Sequence, residues 1–293
     1  MGNSLLGKFA FWQKPQPVTD LGIYVGADSL WVYRAPTQEG PATVSEIGLQ
    51  AEDWLQAFAC VVKQFGQARV SVLLAASRYQ LLLADKPQVE AQEMQQALLW
   101  SIKDMVSIPV SQIHLDYFDY PLPGITKVNV VVTDSSSLSP MVRAMIDSGL
   151  EITSIGIEEL AMSNLFVDDP QARLVLSHQP GQELLLTVVK QGQLLMQRRV
   201  RGFSRIDKMS AEDLSLGTAD NLSLEIQRSM DYFESQLRQA PVASIEVLME
   251  GPSRELTQLL GGQFNQKVNL LEQDTVAAHM AALALAELSR EDA

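Results

Sequence analysis

A short turn of small residues near the start of the chain is the first candidate for chemistry. Gly26, Ala27, Asp28 and Ser29 lie between two stretches in which apolar residues alternate with others. A period of two is typical of half-buried strands, so these residues form the tip of a predicted hairpin. Glycine permits unusual backbone angles there, and such a tip can direct several backbone N–H groups at a phosphate. The turn is therefore a candidate phosphate-binding loop.

This first loop resembles the first phosphate loop of the actin-like superfamily, which includes actin, Hsp70 and the sugar kinases. Within that superfamily the chain most resembles the PilM-like proteins of type IV pilus assembly, over nearly its whole length. The superfamily's loop has the form Asp-x-Gly-x-x-x-x-Lys. In this chain the Asp position falls at Tyr24, and the Lys position falls near Leu30 or Trp31. The resemblance thus implies a loop that keeps its backbone but lacks its charged side chains.

The resemblance also implies a second phosphate loop, which falls at residues 177–184. Ser177 stands where the usual Asp would be, and the expected glycine is displaced to Gly181. Pro180 removes a backbone donor where donors would be needed. A plain β-turn is therefore the favoured interpretation of this segment.

An adenosine side is implied by a helix and by the turn that follows the next strand. Glu225, Arg228 and Ser229 match the E-x-x-R-S-x-x-Y helix of PilM proteins, and their spacing puts them on one face. An ion pair on a solvated face is the equally weighted alternative. Gly251 is what remains of the usual Gly-Gly turn, and Ser253 is the expected cap of the next helix. With the four first-loop residues, these five are the candidate cofactor-binding residues for ATP or ADP.

The same positions argue against catalysis. Hydrolysis of ATP needs bound metal ions and an oriented water. Neither matching loop position carries a carboxylate, and Asp28 lies on the wrong side of Gly26. We expect no catalytic residues and no metal ligands, with either no nucleotide or weakly bound ATP or ADP. The alternative is an active actin-like ATPase or kinase with unusual metal ligands.

Composition excludes several other classes of function. The 293 residues are 46% hydrophobic and 19% charged, which is typical of a soluble globular protein with room for two domains. A net charge of −13 argues against nucleic-acid binding, because that binding depends on neutralising phosphates. A single cysteine and three dispersed histidines predict neither disulfides nor a metal centre. The residues 198–201, which include three arginines, are interpreted as charges on an edge strand.

The elements that must position the candidate residues form two similar runs. Residues 21–75 show three strands, a helix and a strand, and residues 173–288 repeat that order with further elements. RNase H-like halves begin in this way, and actin-like proteins contain two such halves around a cleft. The predicted fold is α/β and actin-like, with domains at 1–168 and 169–293. The last helix is a candidate to return to the first half.

An inserted block at about 78–157 shows the order strand, helix, strand, strand, helix, strand. This βαββαβ order is that of a ferredoxin-like subdomain, and PilM-like proteins carry such a subdomain. We predict its first helix over 89–106, its second helix from Ser139 and Pro140, and its last strand over 151–157. All four strands are expected to pair within the subdomain.

A binding role follows from the resemblance once catalysis is set aside. PilM-like proteins hold the N-terminal cytosolic tail of a bitopic inner-membrane protein beside the inserted subdomain. The expected protein is a cytoplasmic scaffold of a type IV pilus assembly platform, contacting other platform proteins and peripheral to the inner membrane through its partner. A subunit of a type II secretion platform is the alternative. Trp100, Phe118 and Tyr120 are the candidate partner contacts, since an exposed Trp is a typical peptide anchor. Trp100 packed within the first half is the competing interpretation, and residues 1–12 are expected to rest on the fold or on a membrane face.

Overall fold

The computed structural model describes residues 19–38 and 40–291, and it describes side chains as far as residue 288. The expectation for residues 1–12 lies outside the described residues. The described strands are β1 (Thr19–Val25), β2 (Ser29–Arg34), β3 (Thr43–Gly48), β4 (Ala68–Leu74), β5 (Gln80–Asp85), β6 (Ile113–Asp119), β7 (Lys127–Asp134), β8 (Glu151–Ile157), β9 (Arg173–His178), β10 (Leu184–Lys190), β11 (Gln193–Val200), β12 (Ser244–Met249) and β13 (Lys267–Leu270). The described α-helices are α1 (Trp54–Phe65), α2 (Met94–Ile102), α3 (Ser135–Asp147), α4 (Glu158–Ala161), α5 (Ala211–Asp213), α6 (Ala219–Ser235), α7 (Ser253–Gly261) and α8 (Val276–Glu291).

The first half is built on a five-stranded sheet with the order β3-β2-β1-β4-β8. β1 is antiparallel to β2 and parallel to β4. The alternation in β1 puts Leu21, Ile23 and Val25 into one core with residues of α1 and α3. The helix α1 starts where Asp53 accepts a hydrogen bond from Gln56 N–H (3.0 Å) and ends at Gly66, whose φ is 82°. These local signals fix the helix that covers this face of the sheet.

The second half repeats this arrangement. Its five-stranded sheet has the order β11-β10-β9-β12-β13, which matches the first sheet strand for strand. The helices α6 and α7 cover one face and share its core through Ile226, Met230, Phe233, Leu256 and Leu260. Two sheets of one topology are what the predicted fold requires.

The helix α8 lies between the two sheets rather than within the second half. It packs against β1, β2 and β4 of the first sheet. Met280, Ala281 and Ala284 share a core with Tyr24 of β1 and Val189 of β10. This core, contributed by both halves, joins them into one body.

Gly22 is the residue of β1 that lets α8 approach. A β-carbon at this position would stand 1.9 Å from the carbonyl oxygen of Ala281 and 2.6 Å from the backbone nitrogen of Leu285. Such distances are far inside van der Waals contact, so the packing of α8 on the sheet requires glycine here.

The inserted subdomain is smaller than predicted. Its sheet has three strands, in the order β5-β7-β6, and α2 covers one face. The predicted fourth strand, β8, instead pairs with β4, with Arg69 opposite Glu151. The helix α3 also belongs to the first half, where Met141 and Met145 enter its core. The βαββαβ assignment is therefore wrong for its last helix and strand, because without β8 the buried edge of β4 would keep unpaired backbone groups.

Two helix boundaries differ from the predicted ones. The helix α2 covers Met94–Ile102 and is shorter than the predicted 89–106. The helix α3 begins at Ser135, so Pro140 lies inside it and not at its start. Asp134 caps it earlier in the chain by accepting a hydrogen bond from Ser136 N–H (2.8 Å). Both Pro140 and Ser136 are exposed, so the carbonyl that loses its helical donor lies on the solvent side.

The loop that follows β6 crosses from the inserted subdomain to the second half. Leu122 is buried in the second-half core, and Tyr120 and Ile125 pack against that core. The subdomain therefore bridges the two halves on one side of the cleft.

Candidate functional site

The first loop has the predicted hairpin form, and its backbone is already bonded within the chain. Gly26 N–H donates to the carbonyl of Ser29 (2.9 Å), and the carbonyl of Asp28 accepts from Leu49 N–H (2.7 Å). Ala27 and Asp28 are exposed at its tip. The loop is thus a turn held by backbone hydrogen bonds, and its tip faces solvent.

Arg78 fixes this loop from the side, a role that the sequence did not predict. Its Nε donates to the carbonyl of Gly26 (2.8 Å), and its Nη2 donates to the carbonyl of Ala27 (3.2 Å). The guanidinium lies over the ring of Trp54, 4.9 Å from the centroid, and pairs with Glu52 at 3.3 Å. A cation therefore neutralises the carbonyl side of the loop without any lysine in the loop itself.

The second loop is the plain β-turn that was favoured. Gln182 N–H donates to the carbonyl of Gln179 (3.0 Å), and Gly181 has a φ of 79°. Just before the turn, His178 is buried, and burial lowers the pKa of its imidazole despite the nearby carboxylates of Asp207 and Glu250. The histidine is therefore held in its neutral form near pH 7.

The candidate residues on α6 are engaged by a strand of their own half. Arg198 of β11 pairs with Glu225 through its Nη2 and donates to Ser229 Oγ (3.2 Å) through its Nη1. Arg228 pairs with Glu225 at i,i+3, as the ion-pair interpretation predicted, and is itself largely exposed. The face of α6 proposed for adenosine is thus occupied by Arg198.

The turn that follows β12 is also closed by the chain. Gly251 has a φ of 75°, and a β-carbon there would stand 2.0 Å from the carbonyl oxygen of Asp207. Ser253 is the first residue of α7, Pro252 holds the cap position, and no side chain caps the helix. The expected cap by Ser253 is therefore wrong, because the helix starts at that residue and not after it.

A buried cluster of charged and phenolic side chains joins the halves between the two loops. We call it the Arg199 cluster; it consists of Tyr24, Tyr79, Glu158, Glu159 and Arg199. Glu158 and Glu159 are 2% and 1% exposed, respectively. Arg199 Nη2 donates to Glu158 Oε2 (2.8 Å) and to Glu159 Oε1 (2.7 Å). Tyr24, at the position of the superfamily's loop Asp, donates to Glu158 Oε1 (2.7 Å).

Burial shifts the pKa values of three groups in this cluster. It raises the pKa of Glu158, although Arg199 and Tyr24 act in the opposite direction. Burial and the adjacent carboxylates also raise the pKa of the Tyr24 and Tyr79 hydroxyls, which therefore remain donors at neutral pH. The cluster was not predicted from the sequence, although the adjacent acids at 158 and 159, directly after a strand, are a signal that could have indicated it.

The residues present do not fit a magnesium–nucleotide complex. The implied metal position holds Tyr24, the α6 face holds Arg198, and the Gly251 turn is filled by the backbone of Asp207. Within the described residues, no group of three or more His, Cys, Asp or Glu is arranged to hold a metal ion.

A different concave surface lies where the first half meets the inserted subdomain. Two neighbouring cavities of about 290 and 540 Å³ share Glu52, and we call them together the groove. The residues that line the groove and are used below are Glu52, Asp53, Leu74, Arg78, Ile108, Asp134, Ser137, Leu138, Met141, Arg143 and Asp147. They come from the residues just before α1, from the end of β4, from α3 and from residues of the inserted subdomain and its connections.

The three candidate partner contacts lie in three different environments. Trp100 is 63% exposed on α2, with Lys103 Nζ 4.3 Å from its ring centroid. Phe118 is half-buried between the first-half core and the core shared with α8, and it lines a small cavity of about 210 Å³. Tyr120 packs on the second half, where burial, reinforced by Tyr232, raises its pKa to about 12. None of the three lines the groove.

Comparisons with known proteins bear on the fold. No protein-family model and no curated protein matches the sequence. Among solved structures, the chain is similar to a "PilM-PilN type IV pilus biogenesis complex", with 17% identity and a TM-score of 0.65 over 92% of this chain and 98% of that one.

Two further structures support the same fold. The cytoplasmic domain of EpsL, an inner-membrane component of the type II secretion system of Vibrio cholerae, has 16% identity and a TM-score of 0.55 over 94% of this chain and 95% of that one. A protein of Bacteroides thetaiotaomicron with an actin-like ATPase fold has 14% identity and a TM-score of 0.53 over 90% and 95%. The predicted actin-like α/β fold is confirmed, and this chain has the fold of the PilM and EpsL structures.

Proposed function

We propose that this protein is a scaffold of an inner-membrane assembly platform for a type IV pilus of the mannose-sensitive haemagglutinin type. In this proposal the groove binds the N-terminal cytosolic tail of a bitopic inner-membrane protein, and other surfaces contact further platform proteins. The groove at the junction of the first half and the subdomain is the observation that carries the proposal. The similarity to a PilM found in complex with PilN supports it.

The charge of the groove suits such a tail. Its carboxylates are Glu52, Asp53, Asp134 and Asp147, against the guanidinium groups of Arg78 and Arg143. Hydrogen bonds from Ser136 lower the pKa of Asp134, which is therefore ionised at neutral pH. Cytosolic segments beside a membrane span carry an excess of Lys and Arg. A groove with more acids than bases complements that excess.

The groove also offers apolar contacts for the side chains of a tail. Leu74, Ile108, Leu138 and Met141 line its narrower cavity. Apolar anchors in pockets supply most of the affinity in peptide recognition, while the surrounding charges set specificity and rate. A tail that combines basic residues with one or two apolar anchors is therefore the expected ligand.

Attachment to the membrane is proposed to occur through the partner. Among the described residues, no helix is both long and apolar enough to cross a bilayer. The proposed protein is cytoplasmic and is held at the inner membrane by the bound tail. Trp100 remains a proposed additional contact because its ring is exposed near the subdomain surface.

Co-purification with candidate bitopic proteins, with and without their cytosolic tails, tests the proposal. Ser137→Trp fills the narrower cavity from an exposed position, and we expect at least tenfold weaker binding. Ser235→Trp, at an exposed position at the end of α6, is the matched control and is expected to bind normally. Binding that survives deletion of the tail, or that ignores Ser137→Trp, would refute the groove as the site.

A platform subunit of a type II secretion system is the second candidate, and the similarity to EpsL favours it. The partners that co-purify from cells decide between the two. Pilus proteins support the first candidate, and secretion proteins support the second.

A further inference from the structure

The Arg199 cluster connects three separate parts of the chain. Tyr24 belongs to β1 and Tyr79 follows β4, so both lie in the first half. Glu158 and Glu159 open α4, the segment that leads out of the first sheet. Arg199 lies on β11 of the second half. Every contact of Arg199 within the cluster therefore crosses between the halves.

The cluster satisfies its own carboxylates completely. Glu158 Oε1 accepts from Tyr24 Oη (2.7 Å) and from Ala76 N–H (3.3 Å), and its Oε2 accepts from Arg199 (2.8 Å). Glu159 Oε1 accepts from Arg199 Nε (3.0 Å), and its Oε2 accepts from Tyr79 Oη. Each of the four carboxylate oxygens has a protein donor, so none depends on a metal-bound water.

The charges of the cluster also oppose a triphosphate. Two buried acids share one guanidinium, so the charge of Arg199 is already paired within the cluster. A nucleotide phosphate in that space would meet these acids at short range, where the low dielectric strengthens repulsion. The hydrogen bonds and ion pairs within the cluster are therefore favoured over the binding of an anionic ligand.

We propose that the Arg199 cluster, together with the shared α8 core and the Leu122 loop, holds the two halves closed at the cleft without nucleotide, so that their relative position does not depend on nucleotide. This inference concerns the cleft and is independent of what binds in the groove. Its distinctive consequence is that breaking the cluster opens the halves, while adding magnesium and ATP changes nothing.

Distance measurement between spin labels tests this directly. Cys60 is exposed on α1 and is the only cysteine of the sequence, so Gln258→Cys, at an exposed position of α7, completes a pair with one label on each half. We expect one narrow distance distribution, identical with and without millimolar magnesium and ATP. Arg199→Met is expected to give a longer and broader distribution. Arg201→Met, on an exposed arginine just beyond β11, is the control and should match the parent.

A second variant covers the case in which Arg199→Met fails to fold. The triple substitution Arg199→Met, Glu158→Gln and Glu159→Gln leaves no uncompensated charge and is also expected to broaden the distribution. Folded variants that keep the parent distribution would overturn the proposal. A parent distribution that shifts with magnesium and ATP would overturn it as well.

Discussion

At the scale of single residues, arginine side chains of the chain itself fill the cleft where a nucleotide would bind. Arg78, Arg198 and Arg199 each occupy a place where the resemblance implied part of a nucleotide site. The absence of the two phosphate-loop aspartates could be predicted from the sequence, because Tyr24 and Ser177 stand at their positions. It did not predict the arginines as replacements, since their hydrogen-bond partners lie between 26 and 120 positions away along the chain.

Arg199→Met is expected to reduce the free energy of unfolding by about 3–5 kcal/mol, because it leaves two buried carboxylates unpaired. Urea denaturation at pH 7 measures this loss. Arg201→Met should stay within about 0.5 kcal/mol of the parent, since Arg201 is 91% exposed. Equal effects of the two substitutions would contradict the structural role of Arg199.

His178 predicts a dependence of stability on pH. Burial lowers its pKa in the folded protein, so the unfolded chain binds a proton first as pH falls through about 6.5. This histidine therefore costs stability below that pH. The variant His178→Gln should lose less stability than the parent between pH 7 and pH 5, as measured by urea denaturation. His114→Gln, at an exposed position, is the control and should follow the parent; a parallel loss in both variants would exclude this role for His178.

At the scale of elements, local patterns predicted most strands and helices but not their partners. The alternation in β1, for example, predicted which of its faces is buried. The assignment of β8 failed because a strand's own sequence does not reveal which edge it joins. The regular spacing of residues 78–157 is compatible with a four-stranded subdomain and with the observed arrangement. The difference is that β4 would lack a partner on one edge if β8 did not pair with it.

The packing of α8 on β1 gives a prediction at this scale. Gly22→Ala places a β-carbon against the backbone of Ala281, so we expect a loss of about 3 kcal/mol or more in the free energy of unfolding. Gly48→Ala is the control, because its β-carbon meets open space, and its effect should stay within about 0.5 kcal/mol. Thermal and urea unfolding measure both variants. A tolerated Gly22→Ala would show that α8 does not rest on the sheet this closely.

At the scale of the whole molecule, two similar halves are joined by three features on different sides. These are the shared core with α8, the Arg199 cluster and the loop that carries Leu122. The repeated strand order could be predicted from the sequence, because each half has its own run of alternating segments. The contacts that hold the two halves together could not be predicted, since they join residues far apart in the chain.

A nucleotide-binding measurement tests whether the closed cleft of the whole molecule admits ATP. A ligand present at 100 times its dissociation constant would raise the free energy of unfolding by about 2.7 kcal/mol. We expect no change in melting temperature and no phosphate release with millimolar magnesium and ATP, because the cluster and Arg198 fill the site. A clear upward shift, or steady turnover, would show that the cleft opens to admit nucleotide.

The position of α8 has a consequence for how the molecule is made. The first sheet is synthesised early, yet one of its faces is covered by a helix that spans Val276–Glu291. A nascent chain on the ribosome therefore exposes the apolar side of β1 and β4 until α8 has been translated. Chaperone dependence during translation, and aggregation of products that stop before α8, are the cellular signs to be expected.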